Sequence, residues 1–182
     1  MFTTFNGLPL HPLVVHAIVV LLPIAALGTI AIAVWPRLRR RYGWLVVAAG
    51  AGSTVLIPVA TQSGEYLERQ VGDPGAHAQL GDQLIWFAIP LLITSAALVV
   101  LDRRRAGASP PEKTATAKPE GASTHPSAKQ STVVMAVAGL AVVAAVATSV
   151  QIYRVGDSGA RAAWGDTPSS GSGSTAQSGN SD

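Results

Sequence analysis

Four long apolar runs, separated by polar breaks, dominate the hydrophobic pattern of this chain. No Lys, Arg, Asp or Glu precedes Arg37, and residues 13–34 are almost wholly apolar. Further charge-free runs cover residues 42–64, 83–101 and 130–153. About 20 apolar residues at about 1.5 Å each cross the roughly 30 Å hydrocarbon core of a bilayer. Each run reaches that length, so the pattern predicts four transmembrane helices rather than buried helices of a water-soluble domain. The first run lacks a basic leading segment and is too long for the apolar core of a signal peptide, so it reads as a retained helix. Pro23 and Pro90 fall inside the first and third runs and should kink them.

Charge placement adds an orientation. Ten of the 13 basic residues lie on one side of the predicted spans: Arg37 and Arg39 to Arg41 after the first, and Arg103 to Arg105, Lys113, Lys118 and Lys129 after the third. The positive-inside rule puts these in the cytoplasm and both termini outside it, as in a multi-pass protein of the cell membrane. Trp35 and Trp44 flank the first cytoplasmic turn, where an aromatic belt belongs.

Composition agrees: 13% of residues are charged, against roughly 25% in a soluble domain. With no cysteine, disulfides, thiolate metal sites and a cysteine nucleophile are excluded.

The expected architecture is an all-α, integral membrane four-helix bundle. Residues 1–101 hold helices one to three, with an outer helical hairpin between the second and third. Residues 102–130, rich in Pro, Ala, Thr and Ser, read as a disordered cytoplasmic linker that contains His125. Residues 131–166 hold helix four and an outer segment, and 167–182 a flexible Ser/Gly tail. Ala48, Gly52, Ala141, Ala145 and Ser149 offer small-residue contact faces. No internal repeat is expected.

The polar residues that carry chemistry collect at the outer face. Counting back about 20 residues from the cytoplasmic ends puts His16, Glu65, Asp82, Gln83, Gln151 and Tyr153 at the interface. His11, Glu68, His77 and Asp157 lie a little further out. Gly72-Asp73-Pro74-Gly75 reads as a turn with Asp73 as N-cap, so the third helix starts above the lipid with His77 in its first turn. Three of the four histidines thus converge on one end, either as a ligand site or as a hydrogen-bond cluster tying helix ends together.

At these residues the chain resembles a known family. Gly7-Leu8-Pro9-Leu10-His11-Pro12-Leu13-Val14-Val15-His16 is similar to the opening motif of the predicted membrane protein family catalogued as domain of unknown function 2231. Ser63-Gly64-Glu65-Tyr66-Leu67-Glu68 with His77-Ala78-Gln79-Leu80-Gly81-Asp82 resembles its second signature, and residues 153–164 its closing segment. Some members of that family carry histidine where this chain has Asp157. The resemblance implies a four-helix membrane protein and brings no reaction with it.

Three functional readings follow. The first is a b-type haem held by two histidines on facing helices, serving electron transfer at the outer face with a redox partner. His16 with His77 is the preferred pair, though His77 lies about 9 Å further out along its helix; His11 with His77 is the pair of equal depth. The second is a divalent metal bound by His11, His77 and Asp157, with Glu65 or Glu68. The third is a non-enzymatic accessory or assembly subunit with a structural polar cluster. Beyond the lipid bilayer and a membrane-protein or redox partner, no partner is expected. The chain lacks a nucleic-acid patch, a Walker A loop, a GxGxxG motif and the mid-membrane charges of a transporter. Ser63 or Ser158 beside a histidine is the one arrangement that admits a hydrolase, and no nucleophile-elbow motif supports it.

Overall fold

The computed structural model describes residues 4–5, 8–71, 75–108 and 128–164. Four helices make up nearly all of them: α1 (Leu10–Val34), α2 (Pro36–Val71), α3 (Ala76–Ala108) and α4 (Ala128–Trp164). Ahead of α1, two short strands, β1 (Thr4–Phe5) and β2 (Leu8–Pro9), pair antiparallel with Thr4 opposite Pro9. All four helices are long and apolar enough to span a bilayer, over His11–Val34, Pro36–Arg69, Ala76–Gly107 and Thr132–Ala162.

The helices close into a ring in which each packs on its two sequence neighbours and α4 returns to α1. α1 and α3 face each other across the diagonal and touch little. The core is an apolar stripe along the axis: Leu22, Ala26, Leu91, Leu98, Ala141 and Ala145 are fully buried. Large apolar side chains such as Val19, Leu45, Ile93 and Val143 are exposed on the outside, as a lipid-facing surface requires.

Between α1 and α2 the break is one residue, Trp35. Pro36 explains it, because proline lacks the N–H that would continue α1 and fits the first position of α2. Arg39 then folds back on the end of α1: its Nε donates to Ile32 O at 2.8 Å and its Nη2 to Ala33 O at 3.2 Å. Its Nη1 lies 3.5 Å from Asp102 Oδ1 on α3, and the arginine side chain is only 5% exposed. Arg40 Nε comes within 3.5 Å of Asp102 Oδ2. Arg39, counted from the sequence as one of the basic residues that set the orientation, is therefore a buried clamp on three helices.

Hydroxyls in the core satisfy themselves. Thr29, Ser53 and Thr148 each donate to the carbonyl four residues back. Gln151, fully buried, crosses from α4 to donate to Leu80 O on α3 at 3.0 Å. Of the expected small-residue faces, Ala141 and Ala145 are buried but Ala48 is exposed. The closest approaches occur at Gly28 and Gly43, where an added Cβ would sit 2.8 Å from Val46 and 2.7 Å from Val99.

Helices α3 and α4 reach into the expected linker from both sides, to Ala108 and from Ala128. The rest of that linker with His125, the turn at 72–74 and the tail lie outside the described residues.

Candidate functional site

At the end of the bundle away from Arg39, a cavity of about 530 Å³ opens among all four helices. Its walls are apolar: Ile18 and Leu22 from α1, Ile57 from α2, Leu84 from α3 and Ile152 from α4. Its polar lining among the described residues is His11, Thr61, Glu65, Glu68, His77 and Asp82, with no Lys or Arg. The size is that of a small-molecule or cofactor site.

Two of the three expected histidines line this cavity, and each is seated in the same way. His11, half-buried on α1, places Nδ1 3.1 Å from Ala60 O and 3.1 Å from Ser63 Oγ of α2. His77, half-buried near the start of α3, places Nδ1 3.1 Å from Val155 O and 3.4 Å from Ser158 Oγ of α4. A carbonyl only accepts, so the proton of each neutral imidazole must sit on Nδ1. Nε2 then carries the lone pair, and it has no hydrogen-bond partner among the described residues.

Each ring also lies flush against a glycine. A Cβ built on Gly64 would meet His11 Cε1 at 3.0 Å, and one on Gly159 would meet His77 Cε1 at 3.0 Å. Two Ser-Gly pairs, 63–64 and 158–159, are therefore the histidine seats. From the sequence alone these serines stand out only as candidate nucleophiles. That chemistry fails here: Ser63 donates to Ala60 O and Ser158 to Val155 O, and the neighbouring Nδ1 already holds a proton.

His16 does not join them. It is exposed, lies outside the cavity lining, and bonds through Nδ1 to Pro12 O of its own helix at 2.6 Å. The preferred pair of His16 with His77 thus gives way to the alternative, His11 with His77. The physical reason is helical phase: five residues separate His11 from His16, which turns His16 well away from the bundle axis.

Asp157 is also absent from the lining; it pairs with Arg161 one turn on, at 3.0 Å. Glu65 is exposed at the cavity wall and Glu68 half-buried. Among the described residues, no group of three His, Asp or Glu side chains converges tightly enough to hold a metal ion. The set of His11, His77, Asp157, Glu65 and Glu68 is not assembled as one coordination sphere.

A family described as a predicted membrane protein, DUF2231, matches residues 7–168 of the chain. No curated protein and no solved structure matches it.

Proposed function

This chain belongs to the DUF2231 family of predicted membrane proteins, and we propose that it is a b-type haem protein that transfers electrons at the extracytoplasmic face of the cell membrane. The observation that carries this reading is the matched pair of imidazoles lining one apolar cavity, each with Nδ1–H tied to a carbonyl of the next helix and Nε2 without a hydrogen-bond partner among the described residues. Such anchoring through the far nitrogen orients an imidazole for metal ligation and raises its basicity.

The donor count favours haem over a bare ion. Structural and catalytic metal sites in proteins draw three or four protein ligands, and only two imidazoles are presented here. Haem would bring most of its own ligands and ask the protein for one or two side chains, and His11 and His77 would hold it in the cavity that all four helices line. Among the described residues no basic side chain lines the wall to neutralise propionates, which leaves them to water at the open mouth.

Bound haem would supply one-electron chemistry. The residues of the chain do the rest. Ala60 and Val155 carbonyls hold the imidazoles in one tautomer; Ile18, Leu22, Ile57, Leu84 and Ile152 exclude water from the inner part of the cavity. The positive-inside rule orients the arginine end toward the cytoplasm and the cavity toward the outside. A redox partner would then meet the cavity at Glu65 and Glu68.

One observation favours a second reading, a structural accessory subunit. The same Nδ1 bonds lace α1 to α2 and α3 to α4, and a lace needs no ligand. The two readings separate cleanly. Asparagine places an amide N–H where Nδ1–H stands but has nothing at Nε2. His11→Asn and His77→Asn should therefore keep the lace and lose the ligand.

The experiment is an absorption spectrum of the purified protein in detergent, oxidised and dithionite-reduced, with haem and metal analysis of the same sample. A sharp α-band in the wild type that disappears in both Asn variants and persists in His16→Ala supports the proposal. Wild-type protein made with haem available and showing no such band overturns it and leaves the accessory reading.

A further inference from the structure

The two histidine seats are one instance of a wider correspondence. Laying His77 of α3 on His11 of α1 sets Leu22 on Ala88, Ala25 on Leu91 and Ile32 on Leu98, all six buried. The same register sets the buried hydroxyls Thr29 and Ser95 on each other. Laying Gly159 of α4 on Gly64 of α2 sets Ser158 on Ser63 and Val155 on Ala60, the three groups of the seat. It also sets Thr148 on Ser53, which donate to Ala144 O and Ala49 O, and Ser149 on Thr54, which donate to Ala145 O and Gly50 O.

The packing has the matching symmetry. α1–α2 and α3–α4 are the most extensive contacts, α2–α3 and α1–α4 close the ring, and α1 faces α3 across it.

We infer that the chain is two copies of one histidine-bearing helical hairpin, α1–α2 and α3–α4, and that the cavity is a composite site on their pseudo-twofold axis, holding one ligand between two equivalent imidazoles. The axis runs along the bundle, as in membrane proteins built from parallel repeats related about the membrane normal. This corrects the expectation of no internal repeat. Side-chain identity has drifted at most matched positions, while the pattern of burial is kept at most of them and the histidine seat is kept in both halves.

In this arrangement Ser63 and Gly64, Ser158 and Gly159 are positioning residues. The glycines let each ring lie against the partner helix; the serine oxygens share the Nδ1 proton with the carbonyls. Neither half forms the site alone, since each offers one free Nε2. The halves differ at the carboxylates. Glu65 and Glu68 correspond to Ala160 and Ala163, and Asp82 corresponds to His16. The acidic side chains of the cavity thus stand on α2 and α3 only, which gives an otherwise symmetric site one acidic flank.

The equivalence of the two ligands deepens the haem reading and rests on it only where haem is used as the probe. The test takes the full chain in lipid nanodiscs, with isotope-labelled histidine read by NMR at neutral pH. His11 and His77 should show the same tautomer, protonated at Nδ1. Gly64→Ala should shift the His11 signal alone and Gly159→Ala the His77 signal alone, and each should weaken haem binding by a similar factor, on the order of tenfold or more. Where a glycine variant fails to insert, Ser63→Ala and Ser158→Ala carry the same comparison. Unlike tautomers, or a seat variant in one half that abolishes binding while its counterpart changes nothing, overturn the inference. Two matching tautomers in a protein that takes up no haem remove the haem reading and leave the duplication; unlike tautomers in a haem-loaded protein remove the duplication and leave the haem.

Discussion

A histidine in a bundle can serve as a helix tie or as a ligand, and the difference lies in which nitrogen is occupied. At His77, which lines the cavity, the bond to Val155 O uses Nδ1 and leaves Nε2 without a partner among the described residues. His77→Ala should therefore lose about 1 kcal/mol of net hydrogen-bond stability along with the ligand. His77→Asn should lose the ligand while its melting temperature in detergent stays near wild type; a melting temperature as low as that of His77→Ala would mean the amide does not replace the tie. Sequence reasoning found His11 and His77 through depth and residue type. It did not find their seats, because a Ser-Gly pair on an apolar helix has no local signature until a ring from another helix lies on it.

Helix contacts here are set by where backbones come closest. Gly43 abuts Val99, which is nearly fully buried, and a valine in a helix is held in one rotamer. Gly43→Ala should cost about 1–3 kcal/mol through overpacking. Gly139, with no atom within 4 Å of an added Cβ, is the control. There Gly139→Ala should be neutral or gain roughly 0.5–1 kcal/mol from backbone entropy. Thermal unfolding of the two variants in one detergent checks the contrast, and equal destabilisation would mean that the α2–α3 approach is looser than described. The small-residue rule named Ala48, which proves to be exposed, and passed over Gly43. Small residues lie on several faces of each helix, and only the rotation of that helix in the ring decides which face packs.

At the scale of the molecule the two ends of the bundle have different tasks. The arginine end is locked by Arg39, which caps α1 and meets Asp102 of α3. Arg39→Met should cost about 3 kcal/mol, because it leaves a largely buried carboxylate with only the exposed Arg40 beside it and takes the donor from two helix-end carbonyls. Arg39→Met with Asp102→Leu should recover a good part of that loss, measured by the same melts. The histidine end is left open around the cavity. Orientation is directly testable because the chain has no cysteine to remove. Ala162→Cys, exposed at the histidine end, should react with a membrane-impermeant maleimide in intact cells, and Ala106→Cys, exposed at the other end, only after permeabilisation. The reverse pattern would put the site in the cytoplasm and remove the extracytoplasmic part of the proposal.

The sequence by itself determined that this is a four-span membrane protein, because apolar length against bilayer thickness is a one-dimensional property that no packing detail can change. It also determined that three of the four histidines and most of the carboxylates gather at one end, since depth follows from counting residues along a helix. Only the tertiary structure decided which of them meet. Helix rotation put His11 inside and His16 outside, left Asp157 outside the cavity lining, buried Arg39, and set the two Ser-Gly seats against their histidines. Rotation about the helix axis is weakly encoded when nearly every side chain is apolar, because lipid and protein interior select the same residues. The close fits that fix it, at Gly28, Gly43, Gly64 and Gly159, exist only between different helices, once they are packed side by side.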